Sequence, residues 1–376
     1  MPRVRKYQNK TESQWGKAGK KEMLFSRFSL KDFLLKLFAL AGAVALVLSY
    51  VSVYLQPSEL SSVLMFFGLY FLPILFFNVI IFLIALFRLK AVAFLTLIAM
   101  LPTLFYADLF VKFNKNEVVP EGEPIKMITY NVGRMRLSRD GLEYAANTDR
   151  IEKFIELERP DIVCMQEFMM RNRDEYQQFV PGLPFRREFV FGNNELCGNV
   201  ILSRYPITGS GVIKFEDSHN MCVWVDIDLD GDKIRVYNCH LQSSTISFTS
   251  LIQRIATKGE LTNEIREVHE KLRNSNRLRA QQVEDILAHC SQCEYPVVIC
   301  GDFNDTPVSH TYYKLRKGRK DSFAEAGNGF GASYSYLWPL LRIDYILFPK
   351  EFTAFQNEIK REIYSDHYPV STYIYR

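Results

Sequence analysis

Two patterns of apolar residues divide the chain into two parts. Residues 33–111 are nearly uncharged and contain three long apolar runs, at 33–55, 61–87 and 91–111. From Ile125 onward, short runs rich in β-branched residues alternate with polar stretches, and several show the period of two that is typical of half-buried strands. The first pattern predicts membrane-spanning helices, and the second predicts a soluble domain with many strands.

Each long run reaches the ~20 residues that a helix needs to cross about 30 Å of hydrocarbon. Buried helices of a soluble core are the alternative, but core helices seldom come three in succession with almost no polar face. A cleavable signal peptide fits poorly, because its apolar region has only ~7–15 residues and is followed by a small-residue cleavage site. We therefore predict an anchor of three transmembrane α-helices.

The placement of Lys and Arg predicts how this anchor is oriented. The tail at 1–32 carries nine basic and three acidic residues, the first loop carries no basic residue, and the second loop carries Arg88 and Lys90. Because positive segments stay in the cytoplasm, the tail is predicted inside and the domain after the third run outside. The seven cysteines, an odd number, favour a reducing compartment instead. The charge pattern is the more direct signal, and it predicts an integral protein of the plasma or inner membrane with an extracytoplasmic domain.

The remainder of the chain is predicted to be one α/β domain behind a linker. Residues 112–124 are charged and contain Pro and Gly without an apolar period, which indicates the linker. The domain then covers 125–376. Its strands outnumber its helices and mostly follow one another, and the "DLDGDK" stretch at 228–233 is typical of a hairpin turn. This order favours two packed sheets flanked by helices.

Uncommon polar side chains stand at the ends of these predicted strands, where several strands can bring them to one rim. A single Asn or Asp in such a place is usually a turn former, and a lone His is more often a surface or core residue. The combination carries the argument, since ordinary turns would place Ser, Gly and Lys there. The set comprises Asn131, Glu167, Asn199, Asn238, His240, Asp302, Asn304, Asp344, Asp366 and His367.

The chemistry of this set is suited to hydrolysis at phosphorus. Oxygen ligands with few imidazoles suit Mg²⁺, with Mn²⁺ as the substitute. Asn and His hydrogen-bond phosphate oxygens without adding negative charge, and a His held by an Asp transfers a proton or stabilises developing charge. The implied reaction is metal-assisted attack of water on a phosphoester.

From residue 126 to its end, the chain resembles the endonuclease/exonuclease/phosphatase superfamily, which includes pancreatic-type deoxyribonuclease, neutral sphingomyelinases and inositol-polyphosphate phosphatases. The resemblance rests on seven motifs in the family's order: "TYNV", "QE", "GNVILSR", "NCHL", "GDFND", "RIDYIL" and "SDHYPV". It implies a four-layered α/β sandwich for this part of the chain.

The resemblance also implies which residues bind metal and phosphate. Glu167 is similar to the family's principal metal carboxylate, with Asn131 supporting the metal and Asp366 near it. Asn199 and Asn238 are predicted to contact the substrate phosphate.

A catalytic role follows in the same way for five further positions. Asp302 resembles the residue that positions or deprotonates the attacking water, and Asn304 its phosphate-binding neighbour. His240 resembles the histidine that contacts the scissile phosphate. His367 resembles the catalytic histidine, and Asp344 the residue that orients it.

The function predicted from these features is that of a membrane-anchored, divalent-metal-dependent phosphatase or phosphodiesterase, with a phospholipid head group among its candidate substrates. A membrane-anchored nuclease acting on nucleic acid is the alternative enzyme, and it would need a continuous basic face. The formal net charge of +4 argues only weakly against it. An inactive binding protein is the third alternative, which the complete acidic, Asn and His set disfavours.

Two segments each leave two interpretations open. The charged helical stretch within 242–276 is either a solvated surface helix or an element that borders the active site and faces the membrane. The basic stretch Lys314–Lys320 is either a solvated turn or a surface for an anionic partner.

Overall fold

The computed structural model describes residues 29–58, 61–113, 118–135, 144–170, 172–191, 196–216, 218, 220–243, 261–362 and 364–376. Most of the basic tail predicted at 1–32 therefore lies outside the described residues.

The first part of the described chain is entirely helical, and we call Leu30–Ala107 the N-terminal helical part. Its helices are α1 (Leu30–Ser52), α2 (Ser62–Leu69), α3 (Phe71–Arg88), α4 (Lys90–Met100) and α5 (Leu104–Ala107), with a 3₁₀ turn at Leu101–Thr103. Three stretches are long and apolar enough to cross a membrane: Leu30–Ser52, Phe71–Arg88 and Lys90–Ala107, with mean hydropathies of 2.2, 2.4 and 1.7.

Two of the predicted spans differ in detail from the structure. The run at 61–87 forms two helices, because Pro73 has no amide hydrogen to donate to the carbonyl of Leu69, and the backbone at Tyr70 leaves the helical region with a ψ of 17°. The run at 91–111 ends as a helix at Ala107, and Val111–Phe113 forms strand β1. The predicted linker at 112–124 thus begins inside a strand.

Helices α1 and α3 pack closely around one buried polar side chain. Asn78 is fully buried, and its Nδ2 donates to the carbonyl oxygens of Gly42 (3.0 Å) and Ile74 (2.9 Å). A Cβ at position 42 would lie 2.9 Å from Asn78 Oδ1, so a glycine is needed for this approach. The bond to Gly42 links α3 to α1, whereas the bond to Ile74 lies within α3.

Within the described residues, the second part contains thirteen further strands and five α-helices. The strands are β2 (Pro124–Asn131), β3 (Ile162–Met170), β4 (Phe185–Phe191), β5 (Leu196–Ser203), β6 (Ile207–Lys214), β7 (Met221–Leu229), β8 (Asp232–His240), β9 (Val297–Asp302), β10 (Arg319–Asp321), β11 (Asn328–Phe330), β12 (Asp344–Pro349), β13 (Thr353–Ile359) and β14 (Val370–Tyr375). The helices are α6 (Tyr144–Glu158), α7 (Arg173–Gln178), α8 (Leu261–Cys290), α9 (His310–Arg316) and α10 (Ser322–Ala326).

Twelve of these strands form two six-stranded sheets that pack face to face, and β11 pairs with β1. The strand orders are β13-β14-β2-β3-β5-β4 and β10-β12-β9-β8-β7-β6. Apolar side chains such as Met127, Val225 and Ile346 fill the space between the sheets. Ile155 of α6 packs on the outer face of the first sheet, and Val283 of α8 on the outer face of the second. The order helix, sheet, sheet, helix confirms the predicted α/β sandwich.

The two parts of the protein are joined by hydrogen bonds as well as by the chain. Strand β1 pairs with β11, and Gly331 N donates to Phe110 O at 2.8 Å. The buried guanidinium of Arg342 donates through Nη1 to Leu109 O at 3.1 Å. The end of the third apolar stretch is therefore built into the second part.

Candidate functional site

The candidate site lies at one edge of the sandwich, where the carboxyl ends of parallel strands meet. Strands β2 and β3 are parallel, with Asn131 in register with Gln166, and β8 and β9 are parallel, with His240 in register with Asp302. Gly301 permits the second pairing, because its φ is 129° and a Cβ would lie 2.0 Å from Cys239 O. Parallel pairing therefore brings both sheets' polar strand ends to one edge, as the sequence predicts.

Glu167 reaches this edge through a β-bulge in β3. The pairing of β3 with β5 shifts register between Met165 and Phe168, and Glu167 within the shift has a φ of 49°. A bulge turns a side chain away from its regular direction and is frequent beside active sites. The carboxylate is a third exposed, and its Oε1 lies 3.4 Å from Asn131 Nδ2 and 3.7 Å from His240 Nε2.

Asp302 is the buried centre of the cluster. Its Oδ2 accepts hydrogen bonds from Asn131 Nδ2 at 3.0 Å and Asn304 Nδ2 at 3.1 Å, and its Oδ1 accepts from Asn304 N at 2.9 Å. The nitrogens His240 Nε2 and His367 Nε2 both lie 3.8 Å from Oδ2. Burial raises the pKa of Asp302 to about 6, against the lowering effect of the two histidines. Two asparagines and two histidines thus surround a carboxylate that has little contact with solvent.

His367 is held by Asp344 on the other side of the cluster. The nitrogen His367 Nδ1 lies 2.9 Å from Asp344 Oδ2, and both side chains are buried. Ser333 Oγ accepts a hydrogen bond from Asp344 N at 3.0 Å, which fixes the start of β12. Burial opposes the charged imidazole, but Asp344 and Asp302 outweigh it and raise the pKa of His367 to about 10. The imidazolium can therefore donate a hydrogen bond from Nε2 towards the space beside Asp302.

The donor set of this edge fits a divalent cation. Ligand atoms of Asp302, Asp344 and His367 all lie within 4.8 Å of one another. Asp344 Oδ1 is buried without a hydrogen-bond partner among the described residues, and the charged His367 on its other oxygen compensates its charge. Glu167 adds a third carboxylate on the open side of the cluster. Hard carboxylate oxygens of this kind suit Mg²⁺, Mn²⁺ or Ca²⁺.

Two predicted residues, Asn199 and Asn238, are placed apart from the others. Asn238 Nδ2 donates to the carbonyl oxygens of Met165 (2.9 Å) and Val200 (3.0 Å), while its Oδ1 accepts from Gln166 Nε2. Asn199 Nδ2 donates to backbone carbonyls of β7 and β8. Both amides are buried and join the two sheets, so the phosphate contacts predicted for them do not agree with their positions.

Three residues near the cluster were not predicted from the sequence. Arg134 Nε lies 3.7 Å from Glu167 Oε2 on an exposed side chain, and its φ of 58° belongs to a tight turn after β2. The ring of Tyr334 meets the ring of His367 edge to face at 5.2 Å. Arg279 of α8 pairs with Asp305 at 3.3 Å beside Asn304. No motif marks them, because each reaches the site from outside the strand ends.

The cluster opens into a cavity of about 460 Å³, which we call the site cavity. Its polar wall contains Glu167, His240, Asp302, Asn304, Asp366 and His367. Asp366 is set by Ser365, whose Oγ donates to Asn131 O at 2.7 Å and to Asp366 Oδ1 at 3.2 Å. Eight of the ten predicted side chains therefore lie at or directly behind one concave surface.

Comparison with known families decides what kind of site this is. Residues 128–367, more than half of the chain, match the family model described as endonuclease/exonuclease/phosphatase family. The chain belongs to the endonuclease/exonuclease/phosphatase family. Residues 32–109, which coincide with the N-terminal helical part, match a domain of unknown function. No curated protein matches the chain.

Solved structures of the endonuclease/exonuclease/phosphatase family share the fold. A member from Beutenbergia cavernae DSM 12333 is 16% identical with a TM-score of 0.51, over 67% of this chain and 71% of that chain. The human Nocturnin catalytic domain with bound sulfate has 15% identity and a TM-score of 0.49, over 68% and 96%. A mannosyl-6-phosphatase from Bacteroides thetaiotaomicron has 15% identity and a TM-score of 0.47, over 67% and 100%. At these identities the likeness concerns the fold alone.

As a member of the endonuclease/exonuclease/phosphatase family, the protein is a metal-dependent hydrolase of phosphoric ester bonds. The buried acidic cluster agrees with this activity.

Proposed function

We propose that the protein is a membrane-anchored phosphatase or phosphodiesterase that uses Mg²⁺, with Mn²⁺ as the substitute, to hydrolyse a phosphoester beside the bilayer. The single observation that carries the proposal is the convergence of Asn131, His240 and His367 on the buried carboxylate of Asp302 within 4 Å. Asp302 can accept a proton from a water molecule at this place, and the neighbouring histidine and asparagine side chains can donate hydrogen bonds to a phosphate.

Glu167, with Asn131 and Asp366, would hold the metal ion. A bound divalent ion lowers the pKa of its water and neutralises charge on the phosphoryl oxygens. Glu167 is suited to this position, because it is more exposed than Asp302 and faces the open side of the cluster. Arg134 lies beside it and adds positive charge where an anionic substrate enters.

Asp302 would take the proton of the attacking water. Hydrogen bonds from Asn131 and Asn304 hold both of its oxygens in place, and its pKa of about 6 is close to the range in which a general base works at neutral pH. The charged His367, positioned by Asp344, would donate from Nε2 to an oxygen on phosphorus, and His240 would donate from the opposite side.

The N-terminal helical part would serve as the anchor. Three crossings place the basic tail and the catalytic part on opposite sides, and the positive charges favour a cytoplasmic tail. We therefore propose that the catalytic part lies outside the cytoplasm.

The basic stretch Lys314–Lys320 does not favour nucleic acid as the substrate. Lys314 Nζ lies 2.7 Å from Glu284 Oε1, and Lys320 Nζ lies 3.3 Å from Glu325 Oε2. Acidic partners thus neutralise part of the charge that a nuclease would direct at phosphates.

The full-length protein in lipid nanodiscs tests the proposal. Release of nitrophenolate from chromogenic phosphomonoesters and phosphodiesters is expected with Mg²⁺ and not with EDTA. His367→Ala is expected to lower kcat roughly 100- to 10,000-fold. The matched control is His289→Ala, since His289 lies on α8 and hydrogen-bonds Tyr237 away from the cluster. Equal rates for His367→Ala and the wild type would contradict the proposed mechanism.

A further inference from the structure

The site cavity has a second wall, which is apolar and belongs partly to the N-terminal helical part. Opposite the polar wall it is lined by Phe71 and Leu72 at the start of α3, by Phe110, and by Val308 and Leu341 of the catalytic part. Leu72 is half-buried, whereas Phe71 and Val308 are almost fully buried. The cavity that holds the acidic and histidine side chains therefore extends to helices apolar enough to cross a membrane.

Direct packing fixes this apolar wall in place. A Cβ at Gly68 would lie 2.3 Å from Val308 O, so the end of α2 touches the backbone of the catalytic part. The rings of Phe71 and Phe110 stack with centroids 5.7 Å apart, and Leu46, Phe71 and Val308 share one apolar cluster. Helix α8 adds a further contact, since the rings of Phe66 and His269 meet at 4.7 Å. The approach of the two parts is thus a built feature of the fold.

The rim of the cavity carries exposed apolar side chains on the segment 335–341. Tyr336 is 54% exposed, Trp338 37% and Leu340 53%, and Leu340 also lines the cavity. Phe330 of β11 packs edge to face on Trp338, and it pairs with Val111, four residues after the last apolar helix ends. Trp and Tyr are enriched at the level of lipid head groups. This segment is therefore placed to meet the bilayer surface beside the opening of the site.

We infer that the substrate is a lipid of the bilayer, a phosphoester borne on an apolar chain. This inference rests on the proposed hydrolase function and names its substrate class. The phosphate would lie between His240, Asp302 and His367. The carbons next to it would lie along the accessible leucines of the apolar wall, Leu72, Leu340 and Leu341, which Phe71 and Val308 support from behind. In the reaction, the oxygen of one water bonds to phosphorus, one ester P–O bond breaks, and the departing oxygen takes up a proton.

The cavity explains why such a substrate is preferred over a soluble ester. A soluble phosphoester would leave the apolar wall in contact with water. An alkyl chain along that wall removes apolar surface from water, which contributes roughly 0.8 kcal/mol for each buried methylene. If the apolar wall binds the alkyl chain of the substrate, kcat/KM therefore rises with the length of that alkyl chain.

A homologous series of alkyl p-nitrophenyl phosphates, from methyl to octyl, tests this link without knowledge of the natural head group. The full-length protein in nanodiscs is used with Mg²⁺, and kcat/KM is measured for each ester below its micellar concentration. The value is expected to rise at least roughly tenfold from methyl to octyl. A flat series would overturn the inference while leaving the hydrolase function standing. Failure to cleave any of these diesters, together with failure to cleave the monoester p-nitrophenyl phosphate, would overturn the proposed function itself.

Matched variants separate binding in the cavity from simple partitioning into the nanodisc. Leu340→Asn is expected to reduce the octyl-to-methyl ratio of kcat/KM severalfold, because it replaces an apolar side chain of the wall. Leu157→Asn changes another exposed leucine, on α6 and away from the cavity, and is expected to keep the wild-type ratio. Leu341→Asn provides a second position in the wall. Equal ratios in all three variants would show that only partitioning is measured, and would overturn the inference.

Discussion

Arg342 and Asp321 form an ion pair in the interior of the protein, with Nη2 2.6 Å from Oδ1 and both side chains essentially unexposed. The second oxygen of Asp321 accepts a hydrogen bond from Tyr312 OH at 2.6 Å, and Arg342 Nη1 donates to Leu109 O. The pair thus stands at the point where the N-terminal helical part joins the catalytic part.

Asp321→Asn is expected to lower the free energy of unfolding by about 3–5 kcal/mol, because it leaves the Arg342 charge buried without a counter-ion. Thermal unfolding of the full-length protein in detergent measures the change. Asp232→Asn is the control, since Asp232 pairs with Arg376 on the surface and is expected to change stability by less than about 1 kcal/mol. Similar melting temperatures for both variants would contradict the role assigned to the buried pair.

The same pair predicts how stability depends on pH. Burial by itself raises the pKa of Asp321, but the charge and hydrogen bond of Arg342 outweigh burial and hold the pKa below its ordinary value. The folded-state pKa is therefore lower than the unfolded one, near 3.9. The contribution of the ionised Asp321 to the free energy of unfolding is complete above about pH 4, and it disappears as the pH falls through the folded-state pKa. The stability difference between wild type and Asp321→Asn should stay constant from about pH 5 to 8; a difference that grows as the pH falls would contradict this sign.

Asp344→Asn is expected to lower kcat roughly 100- to 10,000-fold with little change in KM, because Asp344 orients and charges His367 without contacting substrate. Steady-state kinetics on a chromogenic phosphoester provides both constants. Asp285→Asn, on the outer side of α8, is the control and is expected to behave like the wild type. An Asp344→Asn enzyme that changes in KM alone would not fit a positioning role.

Glu167→Gln is expected to weaken Mg²⁺ binding at least roughly tenfold, because it removes a carboxylate charge from the open side of the cluster. Calorimetric titration of the full-length protein with Mg²⁺ measures this directly, without reference to catalysis. Glu188→Gln is the control, since Glu188 of β4 lies outside the cavity and pairs with Arg173. Unchanged affinity in Glu167→Gln would remove this residue from the metal site.

The proposed orientation predicts which end of the chain is accessible from outside the cell. An epitope tag added after Arg376 is expected to be degraded by protease supplied to intact spheroplasts, and a tag added before Met1 to be protected. The physical reason is the basic tail together with three crossings. Protection of both tags, or degradation of the N-terminal tag alone, would place the catalytic part in the cytoplasm.

The sandwich and most of its site could be predicted because strand ends are local features of sequence. A run such as "VVICGD" predicts a buried strand, and the polar residue that ends the run must lie where the carboxyl end of that strand leaves the sheet. Asn304 shows the limit of this reasoning. The strand ends at Asp302, so alternation along the strand does not place Asn304 on the same side; a turn with a φ of 52° does.

Other features depend on contacts between distant residues and have no local signal. Strand β1 forms only because β11, more than 200 residues later, supplies its partner. Asn238 and His240 are two residues apart and share one face of β8, yet packing of the second sheet encloses the Asn238 amide, whereas His240 at the strand end reaches the cavity.

The position of the segment within 242–276 also depends on contacts with residues that are distant in the sequence. Of its two interpretations, the structure places the described portion of α8 beside the site, where Leu272 and Asn276 line the cavity and His269 meets Phe66 of α2. The apolar opening of the segment at 246–255 lies outside the described residues, so its proposed contact with a membrane stays a prediction.

The hydrogen bond between Gly331 and Phe110 has a consequence for how the enzyme meets its substrate. A catalytic domain on a flexible linker would move through the volume above the membrane and would encounter soluble molecules in three dimensions. With the proposed anchor in the bilayer, this hydrogen bond and the β1–β11 pairing would hold the opening of the site at one height above the membrane. For the lipid substrate inferred above, the rate would then depend on the number of substrate molecules per unit area of membrane, so diluting the lipid within the bilayer is expected to slow the enzyme whereas diluting the vesicles is not.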